Sequence, residues 1–169
     1  MAHARIQSEI EAIDKEPLKD VTVMIKGSDT TRWRVTILGP VETPYEGGTF
    51  SLKLYFPENY PGSPPMVTFK TRIFHPNVDN EGAAYLDILK TQYWTPETTV
   101  RTVLQSIQSM MIDVNPDTPG NPQALLLYRT NLDKFFHHAE KWTKKYAMQN
   151  NVIQQIRNTL SLAINKNKK

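Results

Sequence analysis

No cysteine occurs anywhere in the 169 residues. That absence excludes disulfide bonds, cysteine-ligated zinc or iron–sulfur centres, and any catalysis through a thiolate of the chain's own. Long apolar runs are missing too. None approaches the roughly 20 residues that cross a bilayer, so no transmembrane segment is expected. Met1–Ile13 has no apolar stretch of the kind that marks a secretion signal. The expectation is a soluble protein of the cytoplasm, the nucleus or both. Glycine is sparse at 7, and Gly47-Gly48 has no lysine after it, so no phosphate-cradling loop is present. The histidines are His3, His75, His137 and His138, and no two fall at the i, i+4 spacing of a helical zinc pair. Neither a metal nor a cofactor is expected. Composition leaves a Ser-His-Asp triad open, but no Gly-x-Ser-x-Gly elbow supports one.

Acidic side chains are absent from the C-terminal end. The chain holds 20 basic and 17 acidic side chains, a net of +3, which invites a nucleic-acid reading. Residues 148–169 contain Arg157, Lys166, Lys168 and Lys169 and no acid, so residues 1–147 keep 16 basic against 17 acidic side chains, a net of −1. A body this balanced lacks the basic face that phosphate backbones require, and no nucleic-acid partner is expected.

What is present is a strongly patterned chain. Ile6, Ile10 and Ile13 mark a short amphipathic helix that Pro17 stops. Four runs with a period of two follow: Val21–Ile25, Trp33–Ile37, Phe50–Phe56 and Met66–Phe69. Their connections are short and turn-rich, with four prolines in the nine residues Pro57–Pro65, which favours an antiparallel meander. Residues 71–97 show neither period, a stretch of about 27 residues that is long for a loop and therefore expected to be functional. Its aromatics, Phe74, Tyr85, Tyr93 and Trp94, predict order. Helical spacing resumes at Val100, Val103, Leu104, Ile107 and Met111. A Pro-rich loop follows over 113–122, then one or two helices over 123–147. Residues 152–164 have the apolar stripe of a last amphipathic helix. The pattern predicts an α+β fold in one domain over 1–147, with a basic extension over 148–169. That extension reads either as a helix capping the fold with a frayed end or as a helix binding a partner or an anionic surface.

The long loop carries the informative residues: Phe74, His75, Pro76 and Asn77, then Tyr85, Leu86, Asp87, Ile88 and Leu89, then Trp94, Thr95 and Pro96. Together with Pro44–Phe50, Tyr60–Pro65 and Asn115–Pro119, they arrive in the order and spacing of one family. The sequence resembles the ubiquitin-conjugating enzymes over residues 4–147. The resemblance implies an N-terminal helix, a four-stranded antiparallel meander, a long active-site loop, a central helix and C-terminal helices. It also implies a chemistry, in which ubiquitin's C-terminus is held as a thioester on one cysteine and passed to a lysine, usually with a ligase bound.

In such enzymes the cysteine lies eight residues after the asparagine of His-Pro-Asn and directly before Leu-Asp. Here that position is Tyr85. The resemblance assigns Asn77 to loop support or oxyanion stabilisation. It assigns Asp87 to orienting or deprotonating the incoming lysine. Thr118 falls where many members carry Asp or Ser at the mouth of the site, and His75, Pro76 and Leu86 frame the active-site loop. Arg5, Trp94, Thr95 and Pro96 match elements of the ligase surface. Gly62 and Ser63 replace a pair that ligases grip, Tyr93 is an insertion before Trp94, and Gln105 stands where several relatives carry a Leu that holds the donor ubiquitin. Catalytically inactive relatives usually lose His-Pro-Asn and the last two helices, and this chain keeps both.

A phenol is a poor substitute for a thiol. A cysteine of pKa ~8.5 is a few per cent thiolate at neutral pH, whereas a phenol of pKa ~10 is about 0.1% ionised. Tyr85 is therefore expected to pack over the groove. The leading expectation is an inactive conjugating-enzyme-like protein that binds ubiquitin or a ubiquitin-like protein, an active conjugating enzyme, or a ligase. The alternative is an active conjugating enzyme whose nucleophile is unconventional or had been substituted.

Overall fold

The computed structural model describes residues 2–148. The basic segment read as helical over 152–164 lies outside them. Helix α1 spans Ala2–Lys15, with Ile6 and Ile13 buried as their spacing requires. Glu9 is buried on the same face. Strands β1 (Val21–Ile25), β2 (Arg32–Leu38), β3 (Thr49–Tyr55) and β4 (Met66–Phe69) pair consecutively and antiparallel, in the order β1-β2-β3-β4. The expected meander is therefore the observed one. β3 stops one residue short of Phe56, which stays buried while its N–H bonds the Thr31 carbonyl. Pro57, with no N–H to donate, prevents the ladder from continuing.

Register puts Trp33 opposite Leu54, Val35 opposite Leu52 and Ile37 opposite Phe50, all buried on one face. Leu54 and Leu52 face Val67 and Phe69 of β4 in turn. This face shares one apolar core with α2 (Val100–Ile112), whose Val103, Leu104, Ile107 and Met111 are buried at helical spacing. Each such side chain contributes on the order of 2 kcal/mol through burial. The Thr99 side chain caps α2 by accepting from the Thr102 N–H.

Among the described residues, two helices and a turn follow α2. Asn121 caps α3 (Pro122–Thr130), whose Pro122 sits in the first turn where its missing N–H costs nothing. Asn131 ends α3 and caps α4 (Leu132–Trp142), and so splits the apolar stretch in two. A π-helical turn over Thr143–Ala147 follows. The 71–97 stretch is ordered by single bridges, Thr68 to Ala83 and Val78 to Ala84, and by a 3-10 turn at Asp87–Leu89.

Candidate active site

Three successive residues hold the long loop to the rest of the molecule. His75 is fully buried, and its Nδ1 accepts from the Asn77 N–H at 2.9 Å. That leaves Nε2 to carry the proton, which it donates to the Met110 carbonyl near the end of α2 at 2.7 Å. Burial lowers the His75 pKa to about 4, against the opposing pull of the Met110 carbonyl, so the ring is neutral at neutral pH. Tyr45, from the Pro44–Phe50 motif, packs on this ring at 5.6 Å and donates its hydroxyl to the Phe74 carbonyl. The Pro76 carbonyl accepts from the Gly120 and Asn121 N–H groups.

Asn77 completes the hub. Its side-chain amide donates to the Asn115 carbonyl at 2.7 Å and the Thr118 carbonyl at 2.8 Å. Its Oδ1 accepts from the Asn115 N–H at 2.9 Å, and its own carbonyl accepts from the Tyr85 N–H at 2.8 Å. Both functions of the buried amide are thus committed to the 113–121 loop. The geometry makes Asn77 a loop support. Both amide hydrogens have a carbonyl partner in that loop. Thr118 is itself buried, its hydroxyl facing Asn77 at 3.3 Å, and it does not open onto the mouth of the site.

Tyr85 lies on the surface of this arrangement. Its side chain is 43% exposed, and its ring leans on Gly120, where an added Cβ would stand 2.7 Å from Cδ2. A glycine at 120 is what lets an aromatic ring occupy this place. The hydroxyl donates to Asp79 Oδ2 at 3.2 Å, while Asp79 Oδ1 accepts from the Glu81 and Ala83 N–H groups. The bond to Asp79, followed by the charge of that carboxylate, raises the phenol's pKa above its ordinary value. The phenolate is therefore scarcer than in free tyrosine.

Asp87 is also occupied. Its carboxylate pairs with Lys90 at 2.7 Å and accepts from Asn115 Nδ2 at 2.8 Å. The Lys90 bond, aided by Asn115, lowers its pKa, so it is an ionised anchor and a weak base. Tyr85, Leu86, Asp87 and Gln105 line one groove of about 430 Å³ along α2. Leu86 forms its buried edge.

The residues matched to the ligase surface gather elsewhere. Trp94 is buried and donates its indole N–H to the Pro61 carbonyl, next to Gly62 and Ser63. Ser63 accepts from the Asn59 side chain, and the Gly62 N–H bonds the Asn59 carbonyl. Thr95 and Pro96 are exposed, with the Thr95 hydroxyl 3.3 Å from that of Thr98. Arg5 joins this face but is not free. It donates to Glu9 at 2.8 Å, to the Pro96 carbonyl at 2.8 Å and to the Thr98 carbonyl at 3.1 Å. Gln105 lies outside this group and lines the same groove as Tyr85.

The sequence carried Tyr45 only as part of the Pro44–Phe50 motif, and Asp79, Glu9 and Gly120 were missed. Glu9 was detectable, because an acid at position 9 falls on the helical face of Ile6, Ile10 and Ile13. Among the described residues no group of three or more His, Asp or Glu side chains could hold a metal ion, and no helix is long and apolar enough to cross a membrane.

A helix, a four-stranded meander, a long loop pinned by a His-Pro-Asn hub, and the helices that follow it define a conjugating-enzyme-like α+β domain. The family model described as ubiquitin-conjugating enzyme matches residues 5–143, and the chain belongs to that family. Membership places it in the ubiquitin-conjugation pathway, whose components, ubiquitin and ligases among them, are its class of partner.

Proposed function

We propose that this protein is a pseudoenzyme of ubiquitin conjugation, acting by binding and not by carrying a thioester. One observation carries the reading: the nucleophile position holds Tyr85, tied to Asp79 and with its pKa raised, in a chain without cysteine. The surrounding loop architecture supports it. The hub of His75, Pro76 and Asn77 still orders the 113–121 loop over a 430 Å³ groove. A groove kept in shape without its nucleophile suits a protein that holds ubiquitin or a ubiquitin-like protein. The face around Trp94 and Pro96 suits a ligase or an active conjugating enzyme. The protein would exert this effect in the cytoplasm, the nucleus or both.

The test is incubation of the chain with activating enzyme, ATP and ubiquitin, alongside titration of the isotopically labelled chain with uncharged ubiquitin, a conjugating enzyme and a ligase domain. The expected result is no covalent adduct, with amide shifts from at least one of the three partners. An adduct stable to thiol and lost in Tyr85→Phe would establish a phenolic ester and overturn the proposal.

A further inference from the structure

Outside the active site, two surface cavities of opposite sign face solvent. The outer face of the sheet holds one of about 560 Å³, where Lys26, Arg32, Arg34 and Lys53, against the single acid Asp29, surround Met24 and Tyr55. The other, of about 420 Å³, lies between the turn before β3 and the exposed side of α4. Glu42, Glu46 and Glu140 line it around Phe136, which is 41% exposed. Leu132, one turn before Phe136 on α4, is exposed as well. Among the described residues, Lys144 pairs there, 3.5 Å from Glu140 and well exposed. An apolar floor with an acidic rim asks for a basic, apolar-striped occupant.

The described chain ends at that rim. Gly47 lines the cavity and has φ of +81°, and a Cβ on it would stand 2.8 Å from Met148 Cε. Met148, the last described residue, therefore reaches the cavity edge with its side chain. The sequence of residues 149–169 holds Ile153, Ile156, Leu160 and Ile164 together with Arg157, Lys166, Lys168 and Lys169, and no acid. We infer that the C-terminal segment 149–169 docks onto the acidic cavity between Glu42, Glu46 and Glu140, with its apolar residues over Phe136. The basic outer sheet face repels the same segment, so charge selects between the two cavities. Direct attachment at Met148 gives the segment an effective concentration in the millimolar range, which a separate molecule does not have.

Because the chain has no thiol, Ser161→Cys creates a unique attachment point for a nitroxide on the full-length protein. Amide signals of residues 42–47 and 136–140 are expected to lose intensity with the oxidised label and recover when it is reduced. Glu42→Lys with Glu140→Lys should abolish the loss while leaving the sheet amides in place. Adding Arg157→Glu and Lys166→Glu should restore it. Salt near 1 M, where the Debye length is about 3 Å, should weaken it in the otherwise unaltered chain. The inference is overturned by no loss at either segment, or by a loss centred on the outer sheet face. It is equally overturned if the loss arises when labelled and isotopically enriched chains are separate molecules, which would make a second copy the occupant.

Discussion

At the scale of single residues, Asn77 and Tyr85 carry the argument. Each polar atom of the Asn77 side chain meets backbone of the 113–121 loop. Asn77→Ala would leave an N–H and two carbonyls without partners, each costing about 1–3 kcal/mol when buried. A destabilisation on the order of 3 kcal/mol in urea unfolding is expected. Asn77→Asp should be at least as costly, since its carboxylate would face the Asn115 and Thr118 carbonyls. Stability unchanged in both would mean that the side chain is a free donor. The resemblance offered loop support as one of two roles for Asn77, but the bonds behind it were not legible in the sequence. The motif located Asn77, but its partners stand 38 and 41 residues further on, and only the folded loop brings them within reach. Tyr85 was legible as a replaced nucleophile, while its bond to Asp79 depended on the turn at 79–83 that aims the carboxylate.

At the scale of elements, a buried carboxylate joins α1, α2 and the loop between β3 and β4. Glu9 on α1 accepts from Arg5, from the Tyr60 hydroxyl at 3.0 Å and from the Val100 N–H that begins α2 at 3.0 Å. Burial and the neighbouring Glu9 raise the pKa of Tyr60, so its hydroxyl stays a donor. Glu9→Ala strands all three donors and is expected to cost about 3 kcal/mol, the range for breaking a buried charged pair. In a double-mutant cycle, Arg5→Ala and Tyr60→Phe should couple by more than about 0.5 kcal/mol, because they share one acceptor. Additive effects would show that the node is not a unit. The resemblance presented Arg5 as a residue of the ligase surface. In the structure it donates to the Pro96 and Thr98 carbonyls and so shapes that face from within. The elements themselves were readable because their periods are clean. The α3–α4 break was not, since Asn131 acts through cap geometry and no periodicity announces it.

At the scale of the whole molecule, the neutral His75 ties the long loop to α2 and makes stability depend on pH. Its folded pKa of about 4 lies below the ordinary 6.5 because of burial. Between those values the unfolded chain binds a proton that the folded chain does not. The contribution is therefore complete above pH 6.5 and is lost as pH falls through 4, by on the order of 3 kcal/mol. Urea midpoints should decline steadily from pH 7 to 4.5, above the range where the depressed carboxylates Asp29 and Asp87 titrate. A flat profile would mean that His75 is accessible to solvent.

The most direct test of the account compares the unaltered chain with Tyr85→Cys in one charging reaction with activating enzyme, ATP and ubiquitin. The account predicts no adduct on the unaltered chain and a thiol-labile adduct on Tyr85→Cys. An adduct on the unaltered chain that Tyr85→Phe removes, or a folded Tyr85→Cys protein that stays uncharged, would contradict the claim that a serviceable site has lost only its nucleophile.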